Sequence, residues 1–178
     1  MTLDGFCDHP AIIPDDELHQ HYTDLLSRAD TILYGRITFQ LMEYWPTVLE
    51  NPTGNKATDE FAVVMDKIQK IVFSRTLKKL EWKSARLANR DIEEEVSALK
   101  NSRSGGSKDI LVGSRSLIIQ LMKFNLIDEY QFCVHPVVAG GGLPLFENMN
   151  HRTVFKLMKT KTFGSGAVTF YYKPDKKD

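Results

Sequence analysis

The sequence predicts an α/β fold built on a mixed, mostly parallel sheet that closes with an antiparallel hairpin. Three observations carry this. Short β-rich runs such as "TILYG", "KIVFS" and "DILVG" alternate with segments of helical period. The late segments "TVFKLMKTKTF" and "GAVTFYYK" alternate at period two, as an antiparallel pair does. The chain has 178 residues, 42% hydrophobic and 26% charged, which suits one domain over 1–178 with its own core. Strand–helix alternation then places helices on both faces of the sheet.

Taken in order, Leu18, Tyr22, Leu25, Leu26 and Ala29 follow one stripe at three-to-four spacing, so Asp15 to Ala29 is a helix opened by Pro14-Asp15. "TILYG", Thr31 to Gly35, is a buried strand. "RITFQLMEYW" is a shorter helix ended by Pro46, and Pro46 to Thr58 is loop. A helix near Asp59 to Lys67 leads to the strand Lys70 to Ser74, and "SARLA" is another strand. "DIEEEVSALKN" carries acids in its first turn, where the helix dipole favours them. "SRSGGS" is a connector. "DILVG" is a strand, "SRSLIIQLMKFN" a helix, and "DEYQFCVHPVVAG" a long strand with a proline irregularity.

Lys+Arg and Asp+Glu are 23 each, so formal net charge is zero, and the basic excess of a nucleic-acid binder is missing. "KPDKK" reads as a solvated tail. Cys7 and Cys133 stand far apart and in no metal spacing, as in a reduced, cytoplasmic protein. No run is long enough for a membrane span, and no secretory signal opens the chain. His19 and His21, two apart on a helix, make a poor metal pair. No metal site is expected. His135 reads as a hydrogen-bonded core residue, Trp45 and Trp82 as packing residues. Tyr130, Phe132 and Val134 share one face of a strand, either inside the subunit or at a dimer surface.

Three strand ends share a chemistry. Gly35-Arg36 follows one strand, with Thr38 just inside the next helix. Ser74-Arg75-Thr76 follows another, with Lys78 and Lys79 close behind. Gly113-Ser114-Arg115-Ser116 joins a strand to a helix. Ligands of open α/β sheets gather at the carboxyl ends of strands, and free N–H groups there attract anions. Three corners with an Arg and a hydroxyl suit a polyphosphate better than a neutral sugar. Gly140 to Gly142 brings backbone close to the same cleft, or else forms a bulge or turn that redirects the chain.

The segments "TLDGF", "YGRITF", "VFSRTL", "DILVGSRSLIIQLMKFNLIDEY", "HPVVAGGGLPLF" and "FGSGAVTFYY" occur in that order from Thr2 to Tyr172. The set resembles the dihydrofolate reductase-like superfamily, within it the riboflavin-biosynthesis reductase (RibD C-terminal) domain. The resemblance implies a three-layer α/β/α dihydrofolate reductase-like fold, an NADPH site and a homodimer acting on a small molecule.

By position it implies that Gly35, Arg36 and Thr38 touch the cofactor, that Ser74 and Arg75 hold the 2′-phosphate, and that Gly113, Ser114, Arg115, Ser116 and Leu117 form the loop under the pyrophosphate. A guanidinium with a hydroxyl suits a phosphate dianion, so NADPH is expected over NADH. The family often has Gly-Gly where this chain has Gly113-Ser114. Asp4 and Gly5 match a segment beside the nicotinamide. Asp4 orients a substrate amine or relays a proton, or else closes an Asp-Gly turn. Asp16 or Glu17 is nearest to the pterin-binding acid of dihydrofolate reductase, but its spacing to Gly35 differs.

The expected reaction is hydride transfer from NADPH to a pterin, pyrimidine or related heterocycle. The alternatives are reduction of 5-amino-6-(5-phosphoribosylamino)uracil, or a non-catalytic nucleotide-binding dimer. The zinc deaminase signature that accompanies full-length riboflavin enzymes is not in the sequence. Relatives carry an apolar strand before the Leu-Asp-Gly segment. With Met1-Thr2-Leu3 in its place, the expectation is a missing or truncated first strand, a vacancy beside the Thr31–Tyr34 strand, and a natural product that begins upstream.

Overall fold

The computed structural model describes residues 1–7, 14–102, 108–147, 149 and 152–175. Its elements are α1 (Asp16–Ser27), β1 (Ala29–Gly35), α2 (Arg36–Met42), α3 (Trp45–Glu50), α4 (Lys56–Lys67), β2 (Gln69–Phe73), β3 (Ala85–Leu87), α5 (Ile92–Asn101), β4 (Asp109–Val112), α6 (Arg115–Lys123), β5 (Tyr130–Val134), β6 (Phe155–Thr162) and β7 (Val168–Pro174). Contacts cluster into two compact units, Leu18–Leu126, and Met1–Glu17 with Ile127–Asp178. Among the described residues no helix is long and apolar enough to cross a membrane.

The first of these units holds a fully parallel sheet in the order β3-β2-β1-β4. Side chains alternate along β1, so Ile32 and Tyr34 face one way and Leu33 the other; all three are buried. Ile32 and Tyr34 join a core with Leu26 of α1, Phe39 of α2, Phe61 and Met65 of α4, and Val72 of β2. Phe39, fully buried, contributes about 1.5–3 kcal/mol by leaving water. The chain moves from β1 to β2 in one direction and from β3 back across to β4 in the other. Right-handed crossovers therefore put α4 and α5 on opposite faces.

Local chemistry sets the boundaries. Asn55 caps α4 by accepting from Thr58 N–H, and Asp91 caps α5 by accepting from Glu94 N–H. Pro46 corrects the sequence reading. It stands in the first turn of α3, where a missing N–H costs nothing, and so starts a helix where an end was expected. Lys70 is wholly buried. Its ammonium donates to Asp66 O (3.2 Å), Ile68 O (2.8 Å) and Ser84 Oγ (2.8 Å) and lies 3.9 Å from the centre of the Trp82 ring.

The other unit holds an antiparallel sheet in the order β5-β7-β6. Tyr130, Phe132, Phe155 and Tyr172 form an aromatic cluster with ring centres 4.8–6.3 Å apart. Cys133, Thr169 and Tyr171 are buried on the other face. The exposed edge strand β6 carries Lys156, Lys159 and Lys161 and a bulge near Met158, features that discourage strand-to-strand association. β5 stops at Val134, short of the long strand expected, because Pro136 cannot donate to a ladder.

Two expectations meet a different arrangement. The mostly parallel strands and the antiparallel hairpin are present, but in two sheets, since no described strand joins β4 to β5. The Thr31–Tyr34 segment has β2 on one side and β4 on the other, so no vacancy lies beside it. The Met1 amino group donates to Cys133 O (2.7 Å), His135 N–H to Met1 O, and Leu3 N–H to Val137 O. The "SRSGGS" connector from 103 to 107 and the tail from 176 lie outside the described residues.

Candidate functional site

Register brings the strand ends level. Gly35 pairs with Phe73, Leu33 with Val112 and Val72 with Leu87. The residues that follow, Arg36, Ser74, Gly113-Ser114 and Asn89, therefore leave along one carboxyl edge. β1 and β4 are neighbours whose connections run opposite ways, which is the switch point where open α/β sheets bind ligands.

At that point Ser114 is 1% exposed, and its hydroxyl accepts the Gly35 N–H at 2.8 Å. Ser114 stands at the N-cap of α6 without capping that helix. Its hydroxyl is a strut between the β1–α2 and β4–α6 corners. A Cβ built on Gly35 would lie 3.3 Å from Ser116 Oγ and 3.7 Å from Ser114 Oγ, so these three residues share one tight spot. Gly113 is small for another reason: a Cβ there would stand 2.7 Å from Cε1 of the buried Tyr34 ring. Leu117 is core, Arg115 is half-buried and Ser116 is exposed.

Arg36 is exposed and donates to Gln40 Oε1 at 3.1 Å, and Thr38 is half-buried two positions on. Ser74 Oγ accepts from Thr76 N–H (3.2 Å) and Leu77 N–H (3.0 Å), shaping a turn that leaves Arg75 exposed. Sequence reasoning missed a fourth corner, Asn89-Arg90 after β3. Both are exposed and line a cleft of about 290 Å³ with Arg86, Glu95, Ala98, Leu99 and Ser102. The signal was legible, since "SARLANR" repeats the strand-then-arginine pattern of "IVFSR". Glu95 is buried at the base of this cleft and pairs with Arg86. Arg36, Arg75 and Arg90 make no ion pair among the described residues. Three exposed arginines that follow strand ends of one sheet, with the Ser116 hydroxyl, are residue types that suit the phosphates of a dinucleotide.

Asp4 lies in the other unit. Its carboxylate accepts from Thr2 Oγ1 (2.6 Å), Gly140 N–H (2.7 Å) and Ala139 N–H (3.1 Å). These bonds, the Thr2 hydroxyl first, hold its pKa at about 2. An acid ionised at every ordinary pH is a poor proton donor. Asp4 instead clasps the glycine run, and Gly140 meets it with φ of +73°, a conformation glycine adopts freely. The run is thus a turn fastened by an acid. Asp15 and Glu17 serve a like purpose, accepting from Ser165 N–H (2.8 Å) and Gly164 N–H (2.9 Å). His135 is buried with its pKa lowered by burial, as a neutral core residue. Among the described residues no group of side chains could hold a metal ion.

The sequence matches the RibD C-terminal domain family over residues 1–169. The chain belongs to that family. It is 37% identical over 178 residues to the uncharacterized protein YyaP of Bacillus subtilis, covering 97% of this chain and 90% of that one. A candidate riboflavin biosynthesis protein from Shewanella sp. PV-4 has a similar fold, with TM-score 0.71 at 18% identity over 98% of this chain and 95% of the other. A Thermotoga maritima diaminohydroxyphosphoribosylaminopyrimidine deaminase/5-amino-6-(5-phosphoribosylamino)uracil reductase superposes with TM-score 0.62 at 18% identity. That match covers 97% of this chain but 54% of the Thermotoga protein. The RibD C-terminal domain fold expected from the motifs is thus the fold found.

Proposed function

We propose that this RibD C-terminal domain protein is an NADPH-dependent reductase acting on a flat heterocycle of the pterin or pyrimidine kind. The observation that carries the reading is the level row of four strand ends, tied at the switch point by the Ser114–Gly35 bond, with the exposed Arg36, Arg75 and Arg90 following three of the strands. Bound NADPH supplies the hydride. The chain's own part is binding and exclusion of water. Arg75, with the proton of the Ser74 hydroxyl, holds the 2′-phosphate, and Arg90 flanks the adenosine end. Arg36, Thr38, Ser116 and the Gly113–Ser114 turn receive the pyrophosphate. Because the bonds to Asp4 hold it ionised, solvent delivers the proton.

Fluorescence titration with NADPH and NADH tests this. NADPH binds at least tenfold more tightly than NADH, and Arg75→Ala weakens NADPH by about 10–100-fold, the loss of one charge-assisted contact of about 1.5–3 kcal/mol, while sparing NADH. Equal losses for both nucleotides refute the assignment of Arg75. Failure of both to bind favours a non-catalytic interaction protein. The homodimer belongs to the same proposal and is read by sedimentation.

A further inference from the structure

We infer that the cleft between β3 and α5 is a second ligand site, for a small anion that carries a guanine-type ring, as guanosine monophosphate (GMP) does. It stands apart from the coenzyme corners and shares only Arg90 with them. Glu95, Ala98 and Leu99 lie on one stripe of α5 at spacing i, i+3, i+4, and Arg86 of β3, the outer strand of the parallel sheet, lines the same cleft. The volume of about 290 Å³ stands at the lower end of the ~300–1,000 Å³ range of small-molecule sites. That suits a base and its sugar, with a phosphate at the mouth.

The polar groups inside select the occupant. Glu95 is 6% exposed, yet among the described residues only Oε1 of its carboxylate is bonded, to Arg86 Nη2. Oε2 has no partner there and is not sealed from water, so a buried acceptor opens on the cleft. A carboxylate in an ion pair only accepts, and an acceptor this deep favours a ligand that brings an N–H to it. Arg86 also donates to Leu87 O (3.2 Å), which leaves its guanidinium with further N–H groups beside that acceptor. A guanine edge matches this pair of groups, with O6 toward the guanidinium and N1–H and the 2-amino group toward the carboxylate. Adenine reverses both contacts: its 6-amino group would meet the guanidinium, and its N1 lone pair the carboxylate. Ala98 and Leu99 supply apolar surface for the ring. Arg86 and Arg90 outnumber Glu95 in the lining, which favours an anion, and the exposed Asn89 and Arg90 are left for its phosphate.

Isothermal titration calorimetry of the full chain with GMP, AMP, guanosine and inorganic phosphate tests this. The expected result is that GMP binds at least tenfold more tightly than each of the other three. Glu95→Gln, which keeps the shape and removes the charge, weakens GMP at least tenfold. Ala98→Trp fills the cleft, leaves the ion pair in place and abolishes GMP binding, so the site is tested even where the Glu95 variant does not fold. Thermal melting identifies the variants that fold. AMP or inorganic phosphate binding as tightly as GMP, or unchanged GMP binding in a folded variant, overturns the inference, as does failure of GMP to bind at all. NADPH titration of the same variants separates this site from the proposed coenzyme site. Glu95→Gln is expected to leave NADPH affinity within about twofold. A parallel loss of both ligands means that GMP occupies the coenzyme site, and the second site falls.

Discussion

Replacing Ser114 with alanine tests the strut between the two corners. The substitution keeps the Cβ and removes one acceptor, leaving the buried Gly35 N–H without its 2.8 Å partner. An orphaned buried donor costs about 1–3 kcal/mol. Because Ser114 does not cap α6, no helix-capping loss is added. In a chain of this size ~1 kcal/mol shifts Tm by about 2–4 °C, so the melting point falls by roughly 2–12 °C. Urea unfolding gives the free energy, and amide exchange locates it. The Gly35 amide becomes faster exchanging while those of β2 are unchanged relative to the global stability. A change within about 0.5 kcal/mol, the range of an ordinary surface substitution, refutes the strut. NADPH affinity falls in the same variant if the strut sets the spacing of the cofactor corners.

Gly113→Ala forces a methyl to 2.7 Å from the Tyr34 ring and destabilises by about 1–3 kcal/mol, as overpacking does; chemical denaturation that finds no loss counts against the close approach. Asp4, with its pKa lowered to about 2, contributes stability that is fully present above the unfolded carboxylate value and is lost as pH falls through about 2. Asp4→Asn flattens that acid limb, and an unchanged limb refutes the clasp. Burial lowers the Lys70 pKa to about 8 against a partial rise from Asp66. The unfolded chain then binds the extra proton between about 8 and 10.5, so stability rises with pH across that window. Comparing wild type with Lys70→Met isolates the effect: the difference moves in favour of the wild type from pH 8 to 10, and a flat difference refutes it.

Most of the fold was legible because burial leaves a periodic trace. The stripe Leu18–Leu26 and the runs before Gly35, Ser74 and Gly113 named their elements to within a few residues. What misled was local. Pro46 reads as a stop or a start depending on whether the backbone ahead of it is already helical, and Tyr44 adopts helical dihedrals. The division into two sheets was hidden because strand pairing across long separations leaves no pattern in a single sequence. Lys70 was hidden as well, for its three acceptors come from Asp66, Ile68 and Ser84, of which two are backbone groups without sequence identity.

The site residues show how position and role come apart. The resemblance implied that Ser114 and Asp4 stand beside the cofactor. In this chain Ser114 accepts from the Gly35 N–H, and Asp4 from the Thr2 hydroxyl and the Ala139 and Gly140 N–H groups. A buried or multiply bonded acceptor is a fixed object, which makes it better suited to setting the distance between two backbone segments than to exchanging a proton or following a moving substrate. The exposed guanidinia of Arg36, Arg75 and Arg90 have the opposite character: charged, hydrated and without ion-pair partners among the described residues, they retain donors to offer a ligand. Within each unit chemistry divides by saturation: Ser114 and Asp4 fix backbone segments, and the exposed arginines keep donors to offer. Substitutions at Ser114 and Asp4 register first in stability, and those at Arg75 first in affinity.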